Sequence, residues 1–288
     1  MKKILLLGSN GQLGWEICRT SKKNVLLTFL DYPEVDFCDF KSIAKCIEDS
    51  SPDCIINAAA YTNVDKAEQE SELAYKINYE AVSEIARICK EKKIFLVHIS
   101  TDFVFSGKNF QPYKTEDKLC PESIYGKSKA RGEKAVRRIL LNNSLIIRTA
   151  WLYSSHGNNF VKTMLKLMKE KNTINVIDDQ VGTPTWAFRL AKSIWNALNK
   201  NLYGVLHITD AGVASWYDFA TAIKEEAIKA GLLNKDIQIV PIPTIQYPTP
   251  AKRPMQSVLD KTSTWKVIGM IPVHWRSSLR AMLRELVK

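Results

Sequence analysis

The amino-terminal run Lys3-Ile4-Leu5-Leu6-Leu7 passes without a break into Gly8-Ser9-Asn10-Gly11-Gln12-Leu13-Gly14, and residues 15–20 continue in a helix-compatible pattern. A short unbroken apolar run marks a strand buried on both faces of a parallel sheet. Strand, glycine turn and helix in that order make a phosphate-binding loop. The glycines permit the tight turn and let the backbone approach a pyrophosphate, which sits on the helix N-terminus. The spacing is GxxGxxG, and three glycines so placed disfavour a turn with incidental glycines. Gly8, Gly11, Gln12, Leu13 and Gly14 are therefore candidate dinucleotide contacts.

That opening predicts strands alternating with helices, and the chain supplies them. Residues 24–30 read as a second strand ending at Asp31, where a carboxylate suits ribose hydroxyls and repels a 2′-phosphate. The same Asp also suits a simple turn. A helix is expected near residues 42–48. Cys54-Ile55-Ile56-Asn57 is a third strand closing on Ala58, Ala59 and Ala60, small residues against which a flat cofactor can lie. An amphipathic helix over residues 72–92 leads to a strand at 94–99, which delivers Ser100, Thr101 and Asp102 at its carboxyl end. Open parallel sheets place their ligands there. A further strand is expected at 144–149. The pattern predicts an α/β fold, a Rossmann-like doubly wound parallel sheet.

Beyond residue 150 the alternation loosens. Helices are expected at 160–169, 187–199 and 217–230, with a strand at 205–209. Residues 241–254 carry five prolines and read as an extended loop able to wall a pocket. The expected organisation is a nucleotide-binding domain over 1–150 and, over 151–288, mainly a smaller interleaved substrate lobe, with later segments returning to the sheet.

Tyr125 and Lys129 stand four residues apart at the start of a helix-compatible stretch, so both side chains point the same way. A phenol titrates near ~10, too high for easy proton transfer at neutral pH, and a nearby ammonium favours the phenolate. Alone the pair is common. Downstream of a glycine-rich nucleotide loop it becomes a candidate acid–base pair.

Composition removes other classes. No apolar run reaches the ~18 residues of a membrane span, and the early one is too short for a signal peptide. Six scattered cysteines without a CxxC pair read as reduced thiols of a cytoplasmic protein. The four histidines lack metal-binding spacing. The net charge of +11 is spread along the chain and suits solvated helix faces or a small polyanion better than nucleic acid.

With these pieces placed, the chain resembles the dTDP-4-dehydrorhamnose reductase family, within the extended short-chain dehydrogenase/reductase superfamily, over nearly its whole length. The glycine loop and Tyr125-Gly126-Lys127-Ser128-Lys129 mark the superfamily. The narrower resemblance rests on Ser100-Thr101-Asp102-Phe103-Val104-Phe105, Arg148-Thr149-Ala150-Trp151 and Asp179-Gln180-Val181-Gly182-Thr183-Pro184. It implies reduction of the C4 keto group of dTDP-4-dehydro-L-rhamnose by NADPH or NADH. Tyr125 would donate the proton, Lys129 would lower its pKa and hold the nicotinamide ribose, and Thr101 would orient the carbonyl oxygen. Asp102, Trp151 and Arg253 would contact the nucleotide sugar, Arg253 through its diphosphate. Asp31, Asp39 and Phe40 would contact the adenosine end, and Ala58, Ala59 and Ala60 the middle of the cofactor. Some members dimerise through a metal ion such as magnesium held by acidic side chains. Glu16 matches one such position, whereas Phe188 stands where those members are acidic, so a metal-bridged homodimer is disfavoured and the oligomeric state stays open.

Two other readings share these residues. One is another nucleotide-sugar 4-ketoreductase or a 4-epimerase, which would turn over without net cofactor consumption. The other is a non-catalytic regulatory subunit resembling that of methionine adenosyltransferase, against which an intact Thr101, Tyr125 and Lys129 argue.

Overall fold

A computed structural model describes residues 1–287 of the chain. Its first half runs β1 (Lys2–Leu7), α1 (Gln12–Arg19), β2 (Val25–Leu30), α2 (Phe40–Ser50), β3 (Cys54–Asn57), α3 (Ser71–Tyr75), α4 (Ala81–Lys92), β4 (Phe95–Thr101), α5 (Ile124–Leu140) and β5 (Ser144–Thr149). Then come β6 (Leu152–Tyr153), α6 (Phe160–Glu170), β7 (Thr173–Ile177), β8 (Val181–Gly182), β9 (Thr185–Trp186), α7 (Ala187–Asn199) and β10 (Gly204–His207). The chain finishes with β11 (Ala214–Ser215), α8 (Trp216–Lys229), β12 (Gln238–Ile242), α9 (Thr262–Ile268) and α10 (Trp275–Glu285).

Six parallel strands form the main sheet in the order β10-β5-β4-β3-β1-β2. Both faces are covered, and the strand alternation shows how. Ile4, Leu6, Cys54, Ile56, Val97, Leu145 and Ile147 join α1 and α7 in one core. Leu5, Leu7, Ile55, Leu96 and Ile146 join α2, α4 and α5 in the other. Side chains alternate along a strand, so a near-continuous apolar run is what a sheet buried on two sides requires. From β1 the chain moves outward to β2 and then crosses to β3 on the other side. The carboxyl ends of β1 and β3 therefore flank a crevice at a topological switch point.

A third core gathers Tyr153, Val161, Met164, Trp186, Phe219, Ile223, Leu279, Met282 and Leu283 from α6, α8, α10 and the strands beside them. Beneath it, Glu226 of α8 accepts from Arg276 Nε at 3.0 Å and Arg280 Nε at 2.7 Å, which ties α10 to α8. These hydrogen bonds, Arg280's first, hold the Glu226 carboxyl down at about 2. A depressed carboxylate contributes stability that is present above its unfolded value and lost as pH falls through the folded one. Glu226→Gln should therefore cost roughly 1–3 kcal/mol at neutral pH, the arginines being half-exposed, and parent and variant should converge as pH falls towards about 2. Urea denaturation at several pH values checks it.

Three expectations need correcting. Residues 72–92 are not one regular helix, because a π-helical turn at Lys76–Glu80 separates α3 from α4. Within it, Asn78 turns inward to bond both backbone groups of Tyr61 and the Ser128 hydroxyl. Residues 241–254 are not wholly irregular, since Pro241 lies inside β12, paired with β7. Proline lacks an N–H, and a strand of a two-stranded sheet has an open edge to which that missing donor can point. α1 begins at Gln12 rather than Trp15, so half of the glycine loop is already helix. Among the described residues no helix is long and apolar enough to cross a membrane.

Candidate active site

A cavity of about 720 Å³ opens over the carboxyl ends of β1, β3, β4 and β5. Gly8, with φ +83°, turns the chain at the end of β1. A Cβ there would lie 2.5 Å from the Ala59 nitrogen, so the loops after β1 and β3 touch through their backbones. A Cβ on Gly14 would meet the Gly8 carbonyl oxygen at 2.0 Å. Gly11 differs: only the Gly8 oxygen, at 3.5 Å, lies within reach, and the residue faces the cavity. Gly11 also occupies the N-cap of α1 without a side-chain cap. The first N–H groups of α1 are thus left to whatever enters, with the positive end of the helix dipole behind them.

α5 carries the candidate pair Tyr125 and Lys129, and its first turn is capped twice, by Ser123 accepting from the Gly126 N–H at 3.1 Å and Glu68 accepting from the Ile124 N–H at 2.8 Å. A Cβ on Gly126 would stand 2.3 Å from the Phe103 carbonyl oxygen, so only glycine lets α5 approach the turn after β4 this closely. That approach brings Tyr125 beside Thr101, whose hydroxyl eases the rise of the phenol's pKa. Thr101 also donates to Asp102 Oδ1 at 3.0 Å and accepts from the Phe103 N–H at 3.2 Å.

The electrostatics differ from the simple expectation. Lys129 does not lower the Tyr125 pKa here: its ammonium donates to the Ile99 carbonyl at 2.6 Å, and burial pushes the phenol up to about 12. Burial pulls Lys129 down to about 8, opposed by the charge of Glu133. Desolvation is the largest cause of both shifts. Burial likewise raises Asp102 to about 6, and its Oδ2 is buried without a protein partner.

Most of the sequence-derived candidates line this cavity together: Gly8, Gly11, Gln12, Leu13, Gly14, Asp31, Ala58, Ala59, Ala60, Thr101, Asp102, Tyr125, Lys129, Trp151 and Arg253. Asp31 accepts from the Asn10 and Tyr32 N–H groups, at 2.7 and 2.8 Å. Arg253 pairs with Asp65, at 3.0 and 2.6 Å. Asp39 and Phe40 lie outside the lining; Asp39 caps α2 through the Lys41 N–H, Phe40 carries the Lys76 ammonium on its ring, and Phe37 faces the cavity instead.

Glu16 also lies elsewhere. Its Oε1 accepts from Ser154 and its Oε2 from Arg19, whose guanidinium sits over both Trp15 and Phe188. No group of three or more His, Cys, Asp or Glu able to hold a metal occurs among the described residues.

The sequence reading named Trp151 on the far wall but not the aromatic residues that hold it. Trp151 stacks on Trp216 with ring centroids 3.6 Å apart and planes 3° from parallel, and Phe160 packs against Trp216. Trp151 holds φ at 46°, a left-handed conformation costing roughly 1–3 kcal/mol in a bulky residue. Its ring lies where a Cβ on Gly182 would be, 2.6 Å away, so stack and glycine together fix its pose. Trp216 lies 65 residues downstream with no motif around it to signal the contact. Asn158 and Asn159 also line the cavity, and Asn159 donates to Gln12 Oε1 at 3.0 Å, joining the lobe to the glycine loop.

Against known proteins, the RmlD substrate binding domain family matches residues 1–288. The dTDP-4-dehydrorhamnose reductase of Salmonella typhimurium is 41% identical, covering 98% of this chain and 97% of that one. The structure of a dTDP-4-dehydrorhamnose reductase from Clostridium acetobutylicum superposes with a TM-score of 0.94 at 39% identity, over 99% of this chain and 100% of that one. That from Bacillus anthracis, in complex with NADP, gives 0.92 at 33% identity, over 99% of each.

Proposed function

This chain belongs to the dTDP-4-dehydrorhamnose reductase family, that of the RmlD substrate binding domain, and from that membership we propose that it reduces the C4 keto group of dTDP-4-dehydro-L-rhamnose to give dTDP-L-rhamnose. It is an oxidoreductase that uses NADPH or NADH. The observation that carries the reading is one cavity holding a glycine cradle, an uncapped helix N-terminus, a Thr-Tyr-Lys trio with Thr101 and Lys129 buried and Tyr125 half-buried, and an aromatic wall. The cradle fits the cofactor: Gly8 and Gly14 hold the loop tight while Gly11 leaves room for a pyrophosphate. Bound there, the reduced nicotinamide supplies the hydride.

The chain's own residues do the rest. Reduction leaves an alkoxide that must gain a proton, and Tyr125, kept protonated by its raised pKa, holds that proton at its hydroxyl. Thr101 turns its hydroxyl to the same oxygen, orienting it and stabilising the growing charge. Lys129 supplies the positive charge beside them and holds the nicotinamide ribose. The unpartnered Asp102 Oδ2 suits a sugar hydroxyl, and the Trp151–Trp216 stack offers a flat apolar face. Arg253 exchanges Asp65 for the substrate diphosphate.

The test is absorbance at the reduced-nicotinamide band with each cofactor in turn, the sugar being made in situ from dTDP-glucose by an upstream dehydratase and epimerase. Sugar-dependent loss of absorbance is expected; a flat trace with cofactor bound would reject the assignment. Because Lys129 titrates at about 8, kcat should fall as pH rises through that value and the ammonium is lost. A kcat unchanged up to about pH 10 would remove Lys129 from the chemistry.

A further inference from the structure

We propose that Glu133 is a positioning residue for this reduction, acting through Ser100 and Arg148 to lock the carboxyl end of β4 onto α5 and so hold Thr101 and Tyr125 in register. The inference rests on the reading above and goes beyond it to a residue outside the cavity.

The geometry is a clamp. Two consecutive residues of β4 are caught by two side chains one helical turn apart on α5. Lys129 donates to the Ile99 carbonyl at 2.6 Å, and Ser100 Oγ donates to Glu133 Oε1 at 2.5 Å. Tyr125, Lys129 and Glu133 follow at intervals of four, one face of one helix. Glu133 is held in turn by Arg148 of β5, whose Nε and terminal nitrogen reach it at 3.0 and 2.8 Å. The remaining guanidinium nitrogen donates to the Thr115 carbonyl at 3.1 Å and meets His207 Nε2 at 3.2 Å. Both charged side chains are fully buried.

Stability alone does not account for such a pair. Desolvating each ion costs several kcal/mol, and an apolar pair of similar volume is often as stable or more so. On the same face of the sheet Leu96 and Ile146 are apolar and buried, so apolar packing was available. What the ion pair adds is direction: a carboxylate pinned by a forked donor presents one oxygen to Ser100 at a fixed place. Thr101 is the next residue, so this buried network and the close approach at Gly126 together set its distance from Tyr125.

The carboxylate also supplies charge. The charged groups that act with it are Lys129 on α5 and Arg148 on β5, with His98 on β4 acted on by the Lys129 charge and His207 on β10 touching Arg148. Burial and the Lys129 charge lower His98 well below its usual range, and burial and Arg148 lower His207 to about 4, so both are neutral. Glu133 is the anion that raises Lys129 against its burial.

The experiment compares Glu133→Gln and Ser100→Ala with the parent enzyme. It reads kcat, the sugar KM, the cofactor Kd and, by NMR of isotope-labelled lysine in the free protein, the midpoint of Lys129. Glu133→Gln should lower kcat by about tenfold or more, with KM and Kd within about threefold, and shift the alkaline limb and the Lys129 midpoint downward by about one pH unit. Ser100→Ala, which leaves the ion pair whole, should lower kcat by about tenfold with the midpoint unmoved. Wild-type kcat in Ser100→Ala overturns the clamp, and an unmoved midpoint in folded Glu133→Gln overturns the charge role. If Glu133→Gln does not fold, Ser100→Ala decides. If the parent protein shows no turnover, the reductase reading falls, while the Lys129 midpoint still judges Glu133.

Discussion

Tyr125→Phe should bind its cofactor as the parent does and lose turnover by about 10²-fold or more. The ring stays, and with it the edge-on contact with Phe103 at 5.6 Å that fills this part of the wall. What goes is the one phenolic hydroxyl beside Thr101. The phenol is pushed up to about 12 by burial first, eased by the Thr101 hydroxyl, so it carries its proton throughout the neutral range. A buried phenol is a reluctant acid. It becomes an effective one only where the alkoxide forms within hydrogen-bond reach and a cation stands behind it. Steady-state kinetics with a parallel cofactor titration separates the two quantities. Near-wild-type kcat would remove Tyr125 from the chemistry, and a matching loss of cofactor affinity would make it a binding residue.

Gly14→Ala should damage both fold and cofactor binding through one methyl group. The added carbon would lie 2.0 Å from the Gly8 carbonyl oxygen and 2.7 Å from the Ser9 Cα, both backbone atoms with no rotamer in which to escape. α1 and the loop must separate, and the loop is itself pressed against Ala59. Overpacking of this kind costs about 1–3 kcal/mol or more, and the displaced first turn should raise the cofactor Kd by roughly 10²-fold. Gly11→Ala is the control. Its methyl would meet only the Gly8 oxygen, at 3.5 Å, and otherwise points to the cavity. It should weaken cofactor binding with stability within about 1 kcal/mol of the parent. Urea melts and cofactor titrations on both variants check the contrast; equal stability losses would mean the cradle is looser than its backbone contacts indicate.

The local features of this protein were legible where physics acts over a few residues. The run Lys3-Ile4-Leu5-Leu6-Leu7 could only be a strand covered on both faces, and the alternation after it gave the parallel sheet. Thr101 could be placed at a strand end and Tyr125 and Lys129 on one helix face, because both follow from chain geometry. The Pro241 strand could not be read, since its tolerance depends on lying at a sheet edge. Nor could the π turn, which exists because Asn78 finds Tyr61 and Ser128.

The sequence by itself determined the fold class and the glycine cradle, and it named the candidate reacting groups. Only the tertiary structure decided their properties. A pKa depends on what surrounds a group, and burial turned the expected Lys129 effect on Tyr125 aside. The Trp151–Trp216 stack and the Glu133–Arg148 pair join residues 65 and 15 positions apart, through packing that no local pattern encodes. Periodicity reports which way a side chain points; what it meets is settled by the rest of the chain folding around it.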